Sequence, residues 1–336
     1  MRRKQFSAIL TALAVLSGFA GCQGHVDTDQ SVKITTVSNE QENENIFLKG
    51  TYAEPLNSEL NTVIIAGREY DINETAVYLT GGVFTDDDLV ELLKLKGLKE
   101  LSVELEGDGC EITDLSIISR LKSLETLFIG GTYEDLSFIG DMPGLKKLEL
   151  AGFVCDTVEI PAANNITTLV LTETKIQSLD WLSNMNALTE LQLGSHFICN
   201  DYSGIGNIAG LEILNMDMLE EYETDLSFLT NLKGLKEFRY CMPHGTVNFD
   251  CVSECTALEK IYIFDDIENF NFCDTLHSLK EAVFYGTDKE YDLTPVANCT
   301  ELQKLELYCG YSESSMTEIK RALPDCEIFS PGIENE

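Results

Sequence analysis

The chain has 336 residues, 44% of them hydrophobic, enough to build a core and to exclude bulk disorder. Fifty-seven acidic residues against 23 basic ones leave a formal net charge of −34, a surface that repels nucleic acid and anionic membranes and permits a cationic partner without implying one. Length alone suggests two globular domains, but an internal repeat of about 22 residues overrides that prior, because a solenoid grows by adding units to one elongated core.

Residues 1–21 read as an export signal. Met1-Arg2-Arg3-Lys4-Gln5 is basic, and Phe6 to Phe19 is an apolar stretch too short to span a bilayer as a permanent helix. Phe19-Ala20-Gly21-Cys22 resembles a bacterial lipobox, which implies that Cys22 is lipidated and becomes the mature N-terminus. Ordinary secretory cleavage near Gly21, with Cys22 incidental, is the other reading. Loss of residues 1–21 removes three positive charges and no negative one, taking the net charge to −37. Residues 22–45 are polar and acidic with no apolar period, as suits a solvated tether.

Residues 46–94 are expected to cap the repeats, since an open stack of strands exposes its end. Thr62 to Ala66 and Ala76 to Thr80 read as strands, followed by a helix to about Leu95. Thr85 with Asp88 three residues on is a capping-box pattern, so Asp86, Asp87 and Asp88 are better read as helix N-terminal charge than as a calcium loop.

The repeats occupy residues 95–310. The unit L-x-x-L-x-x-L-x-L is clearest at Leu121 to Ile129, Met142 to Leu150, Met185 to Leu193 and Cys299 to Leu307, with weaker copies between. The first residue of each apolar-x-apolar strand falls at Leu101, Leu127, Leu148, Leu169, Leu191, Leu214, Phe238, Ile261, Ala282 and Leu305. Because successive strand residues point to opposite faces, these and the residues two further on face inward. The intervening positions line an outer, concave face. Cys255 and Cys299 replace the first leucine of the unit, and Cys251, Cys273 and Cys155 take other apolar slots. They read as packed thiols rather than a disulfide framework, with Cys241 and Cys309, beside the concave face, as the exceptions. Downstream, residues 311–330 form a second cap, with a helix opened by Ser315 and Glu318 and ended by Pro324, then a strand at Cys326-Glu327-Ile328. Residues 331–336 are expected to be loose.

The units resemble bacterial leucine-rich repeats of the internalin type over residues 76 to 328. Asp114-Leu115-Ser116, Asp135-Leu136-Ser137, Asp225-Leu226-Ser227 and Asp292-Leu293-Thr294 precede copies of the core motif, as the convex segments of that family do. The resemblance implies an α/β solenoid: a horseshoe with a parallel concave sheet, short convex turns or 3₁₀ segments, and capped ends. That family usually has asparagine in the turn after each strand. Here those positions hold Cys110, Thr132, Phe153, Thr174, His196, Leu219, Pro243, Asp266 and Thr287, so individually adapted turns are expected.

Catalysis needs convergent polar groups. The four histidines are His25, His196, His244 and His277; Cys199 near His196 and Cys241 near His244 lack a third orienting residue and a lobe to form a cleft. No cofactor or metal site is expected. The concave face is the better candidate, where Tyr262, Phe264, Tyr285 and Tyr308 fall on three neighbouring strands about 4.8 Å apart, with Arg239 alongside. Aromatics with an arginine are what interface hot spots are enriched in. Aromatics also have good strand propensity and cover neighbouring strands, and a register slip of one residue would turn all of them inward. The expectation is a non-enzymatic surface protein, lipid-anchored to the outer face of a bacterial membrane, that binds a protein or glycan on its concave face. A structural or assembly role in the envelope is the alternative.

Overall fold

The computed structural model describes residues 61–331 except 106–109, 134, 153, 156–164, 218–224, 242–245 and 288. The export signal, Cys22, the tether, His25, His244, the turn positions Phe153, Leu219 and Pro243, and the tail from residue 332 lie outside them.

One parallel sheet dominates. Its strands are β1 (Ala76–Leu79), β2 (Glu100–Glu104), β3 (Thr126–Gly130), β4 (Lys147–Ala151), β5 (Thr168–Thr172), β6 (Glu190–Leu193), β7 (Ile213–Asp217), β8 (Glu237–Cys241), β9 (Lys260–Phe264), β10 (Glu281–Tyr285), β11 (Lys304–Tyr308) and β12 (Glu327–Phe329). Sheet order equals chain order, and the sheet is open at both edges. Cα pairing aligns Leu101, Leu127, Leu148, Leu169, Leu191, Leu214, Phe238, Ile261, Ala282 and Leu305 in a single row, the one the repeat defined. Every one of them is buried, as is the second inward row from Val103 to Leu307. The earlier leucines of each unit, such as Leu145, Leu188 and Leu258, fill the space behind the sheet. Neighbouring units thus share one core that no unit could close alone.

Short 3₁₀ segments form the convex side. Each opens on a side chain that accepts from a backbone N–H two residues ahead: Asp114 from Ser116 (3.0 Å), Asp135 from Ser137 (2.7 Å), Asp225 from Ser227 (2.8 Å) and Asp292 from Thr294 (2.9 Å). Asp201, Asn248, Asn269 and Ser178 do the same ahead of Ser203, Asp250, Asn271 and Asp180. The device therefore reaches beyond the four Asp-Leu-Ser strings, because any short acceptor side chain can close this turn.

These segments stack closely. A Cβ on Gly204 would lie 2.3 Å from the carbonyl carbon of Leu179 and 2.4 Å from its oxygen, in the preceding repeat. Backbone cannot yield as a flexible side-chain tip does. Gly204→Ala is expected to cost about 1–3 kcal/mol through overpacking, seen as a lower urea midpoint. Gly234→Ala, where nothing lies within 4 Å of a Cβ, should leave the midpoint unchanged or slightly raised.

The turns after the strands are individually built. Val154–Cys155, Lys175–Ser178 and Ile198–Asp201 form a small parallel sheet of their own, and Thr246–Val247 pairs with Asp266–Ile267. Backbone bonds between repeats thus stand where an asparagine ladder would. Thr174 is buried and donates to the Thr172 carbonyl (2.7 Å), while the Tyr291 hydroxyl donates to Asp266. The thiols of Cys255 and Cys299 reach back to the carbonyls of Leu229 (3.3 Å) and Cys273 (3.5 Å) in the preceding repeat. Cys309 is buried rather than concave, since it follows the outward Tyr308.

The elements at the two ends of the sheet differ in detail from the sequence reading. Thr62–Ile65 pairs antiparallel with Arg68–Asp71, a strand whose Arg-Glu-Tyr-Asp sequence carries no apolar alternation. The turn between them places Ala66 and Gly67 at φ 50° and 72°. Helix α1 spans Asp86–Leu92, ending a turn before Leu95. Its acidic residues bind backbone: Asp88 accepts from Thr85 N (2.9 Å) and Ala66 N (2.6 Å), Asp86 from Thr113 N (2.8 Å). Helix α2 spans Glu313–Ala322 and is capped by Ser312, whose Oγ accepts from Ser315 N (3.2 Å). Ser315, expected as the cap, is instead buried in the first turn, because Ser312 stands at the same spacing one turn earlier.

Candidate functional site: the concave face

The alternation that buries the leucines turns two rows outward. Asn215, Arg239, Tyr262, Val283, Glu306 and Phe329 are aligned in one row across β7 to β12. Beside it run Asp217 and Cys241, then Phe264, Tyr285 and Tyr308. The five predicted residues are brought together on β8 to β11, on the predicted face. They do not all meet solvent equally: Tyr262, Tyr285 and Tyr308 are half-buried, whereas Phe264 is only 7% exposed and Val283 is buried with it.

Phe264 is covered because its neighbours stack on it. Its ring centroid lies 4.8 Å from that of Tyr285, which stacks on Tyr308 at 4.2 Å with an interplanar angle of 8°. Phe329 continues the ladder 5.9 Å from Tyr308 and is 51% exposed. At the other end, the Arg239 guanidinium sits over Tyr262 (5.3 Å) and Phe264 (5.5 Å) and lies 3.6 Å from Asp217. Its side chain is 16% exposed, so it works as a clamp on the ladder as much as a contact surface. Sequence reasoning missed Phe329, because the last strand was placed one residue too early; the alternation Ile328 inward, Phe329 outward was the available signal.

Carboxylates edge the ladder. The Tyr308 hydroxyl donates to Glu306 (3.0 Å), and the Glu281 and Glu237 charges act on that of Tyr262. Burial first, then these acid partners, push both phenols well above the usual tyrosine range. Burial pushes Glu306 up, but Lys304 and the Tyr308 hydroxyl prevail and hold it below its usual value. Burial raises Asp217, opposed by Arg239. Lys304 lies 2.6 Å from Glu306 and 3.3 Å from Glu281, and Lys260 lies 3.4 Å from Glu237. Lysines gather where the strands begin: Lys99 and Lys146 flank Glu125, at 2.6 and 2.7 Å, and hold it at about 2.

The thiol and histidine positions carry different geometry. Cys199 is buried, donates to the Asp201 carbonyl (3.1 Å), and is pushed up to about 11 by burial, the reverse of an activated nucleophile. His277 bonds the Asn298 carbonyl (2.9 Å). Among the described residues no three histidine, cysteine or carboxylate side chains are placed to hold a metal ion, and no helix is long and apolar enough to cross a membrane.

No known family model matches the sequence, and no curated protein does. Solved structures do match. An internalin from Listeria monocytogenes superposes with a TM-score of 0.52 at 18% identity, over 73% of this chain and 70% of that one. A leucine-rich-repeat protein of Leptospira interrogans matches at 15% identity over 75% and 81% of the two chains, with a TM-score of 0.36. Internalin C2 of Listeria monocytogenes matches at 16% identity over 69% and 86%, with a TM-score of 0.39. The parallel sheet, its 3₁₀ backing and the first of these superpositions together give this chain the leucine-rich-repeat fold.

Proposed function

We propose that this is a non-enzymatic binding protein that holds a protein ligand on the concave face of β8 to β12. The observation that carries the reading is the aromatic ladder of Phe264, Tyr285 and Tyr308, in register on neighbouring strands, extended by Phe329 against Tyr308 and clamped by Arg239. Side chains there are not needed to close the core, which the inward rows already fill. A protein suits the face better than a glycan, because sugars stack on open ring faces, whereas Tyr285 packs between Phe264 and Tyr308, and Tyr308 between Tyr285 and Phe329. With the export signal and Cys22 of the sequence, the same reading places the protein outside the cell, anchored by lipid to the outer face of a bacterial membrane.

Affinity capture from cell-surface extracts tests it, comparing the native protein with a Tyr262→Ser, Tyr285→Ser, Tyr308→Ser variant. Phe264 is left in place because it is buried. Losing anchors worth about 1–3 kcal/mol each should weaken a captured partner at least a hundredfold while the melting transition persists. Equal capture by both proteins would move binding off this face.

A further inference from the structure

The concave face is rich in acceptors and poor in uncommitted donors, which bears on what can lie against it. The phenol of Tyr308 already bonds Glu306. Arg239, Lys260 and Lys304 each lie against a carboxylate of the same face. Against these three bases stand five carboxylates, Asp217, Glu237, Glu281, Glu306 and Glu327, so the face keeps a negative charge and spare acceptor capacity. The Asn215 Oδ1, in register with Arg239, is buried and without a hydrogen-bond partner. The loops after β9 and β10 add exposed carboxylates at Glu268, Glu290 and Asp292, and their lysine, Lys289, is engaged over the Tyr291 ring at 5.0 Å.

We propose that the occupant of this face is an extended, lysine- and arginine-rich segment of a partner protein, lying across β7 to β12. The proposal rests on the reading that the concave face binds protein, and adds the chemistry of the partner. Ammonium and guanidinium groups supply donors to the carboxylates of the face. Their aliphatic stems cover the exposed edges of Tyr285, Tyr308 and Phe329. Five strand spacings of about 4.8 Å make a track of about 24 Å, the reach of roughly seven extended residues. An acidic segment would meet like charge, and a donor-poor one would leave these carboxylates without partners.

The test uses a displayed library of random peptides of about ten residues, selected at physiological salt on three proteins. These are the native chain, a Tyr285→Ser, Tyr308→Ser, Glu306→Gln variant, and a Glu313→Gln control that removes one carboxylate away from the face. The expected result is enrichment of lysine- and arginine-rich sequences on the native chain and the control, with affinity at least tenfold weaker on the concave-face variant. Basic sequences held equally by all three would mean attraction to the overall acidity, and would overturn the proposal. Enrichment of neutral or acidic sequences that the concave-face variant loses would also overturn it, while leaving the face as a protein-binding surface. If enriched sequences of any composition bind the variant unchanged, both readings fall.

Discussion

Leu191→Ala lowers the unfolding free energy by about 2–5 kcal/mol, and Leu148→Ala does the same. Both leucines are fully buried in the inward row, Leu148 between Leu127 and Leu169, Leu191 between Leu169 and Leu214. Truncation removes methyl groups from a core that flanking strands hold at fixed spacing, so the cavity cannot collapse without breaking the register. At roughly 2–4 °C per kcal/mol for a chain of this size, melting should fall by about 5–15 °C. Gln192→Ala, one residue along but on the concave face, should change stability by no more than about 0.5 kcal/mol. Parallel urea melts of the three variants read the contrast. Small effects at both leucines with a large one at Gln192 would mean that inward and outward positions had been exchanged.

The inward frame was legible because two periods coincide in the sequence: alternation along each strand and a repeat along the chain. A residue such as Ala282 or Phe238, far from leucine in size, is still placed by its neighbours in the row. Contacts that depend on a partner one repeat away were not legible. Nothing local to Lys175–Ser178 or Ile198–Asp201 marks them as paired, because their hydrogen bonds run between backbones and ask little of the side chains. The face of the candidate site followed from the alternation, but its exposure did not. Phe264 is buried because Tyr285 packs on it from one neighbouring strand and Arg239 folds over it from the other, toward Asp217. The missed cap at Ser312 has a similar cause. Ser312 and Ser315 both satisfy the local rule, and what separates them is that Ser315 packs against the last repeat's end of the core.

The pH dependence of Asp265 is the second large effect expected. This residue follows Phe264 at the end of β9, is 9% exposed, and has one carboxylate oxygen bonded to Asp266 N (2.7 Å) and the other, Oδ2, buried without a partner. Burial pushes its pKa from 3.8 up to about 7. A carboxyl that is a weaker acid folded than unfolded makes the folded state bind the extra proton, so stability is lost as pH rises between those values. Below about pH 4 the group is protonated in both states and costs nothing; above about pH 7 it is ionised in both and the whole cost stands. That cost is on the order of 2–4 kcal/mol. Asp265→Asn keeps an acceptor for Asp266 N and carries no charge. Its stability relative to the native chain should therefore be close to zero near pH 4 and rise in its favour toward pH 8. Taking the difference between the two proteins removes the opposite trend from carboxylates such as Glu125 and Asp292, which are held low and lose stabilisation in acid. A difference that stayed flat from pH 4 to pH 8 would mean that water reaches Oδ2 and that the ionised carboxylate is not penalised.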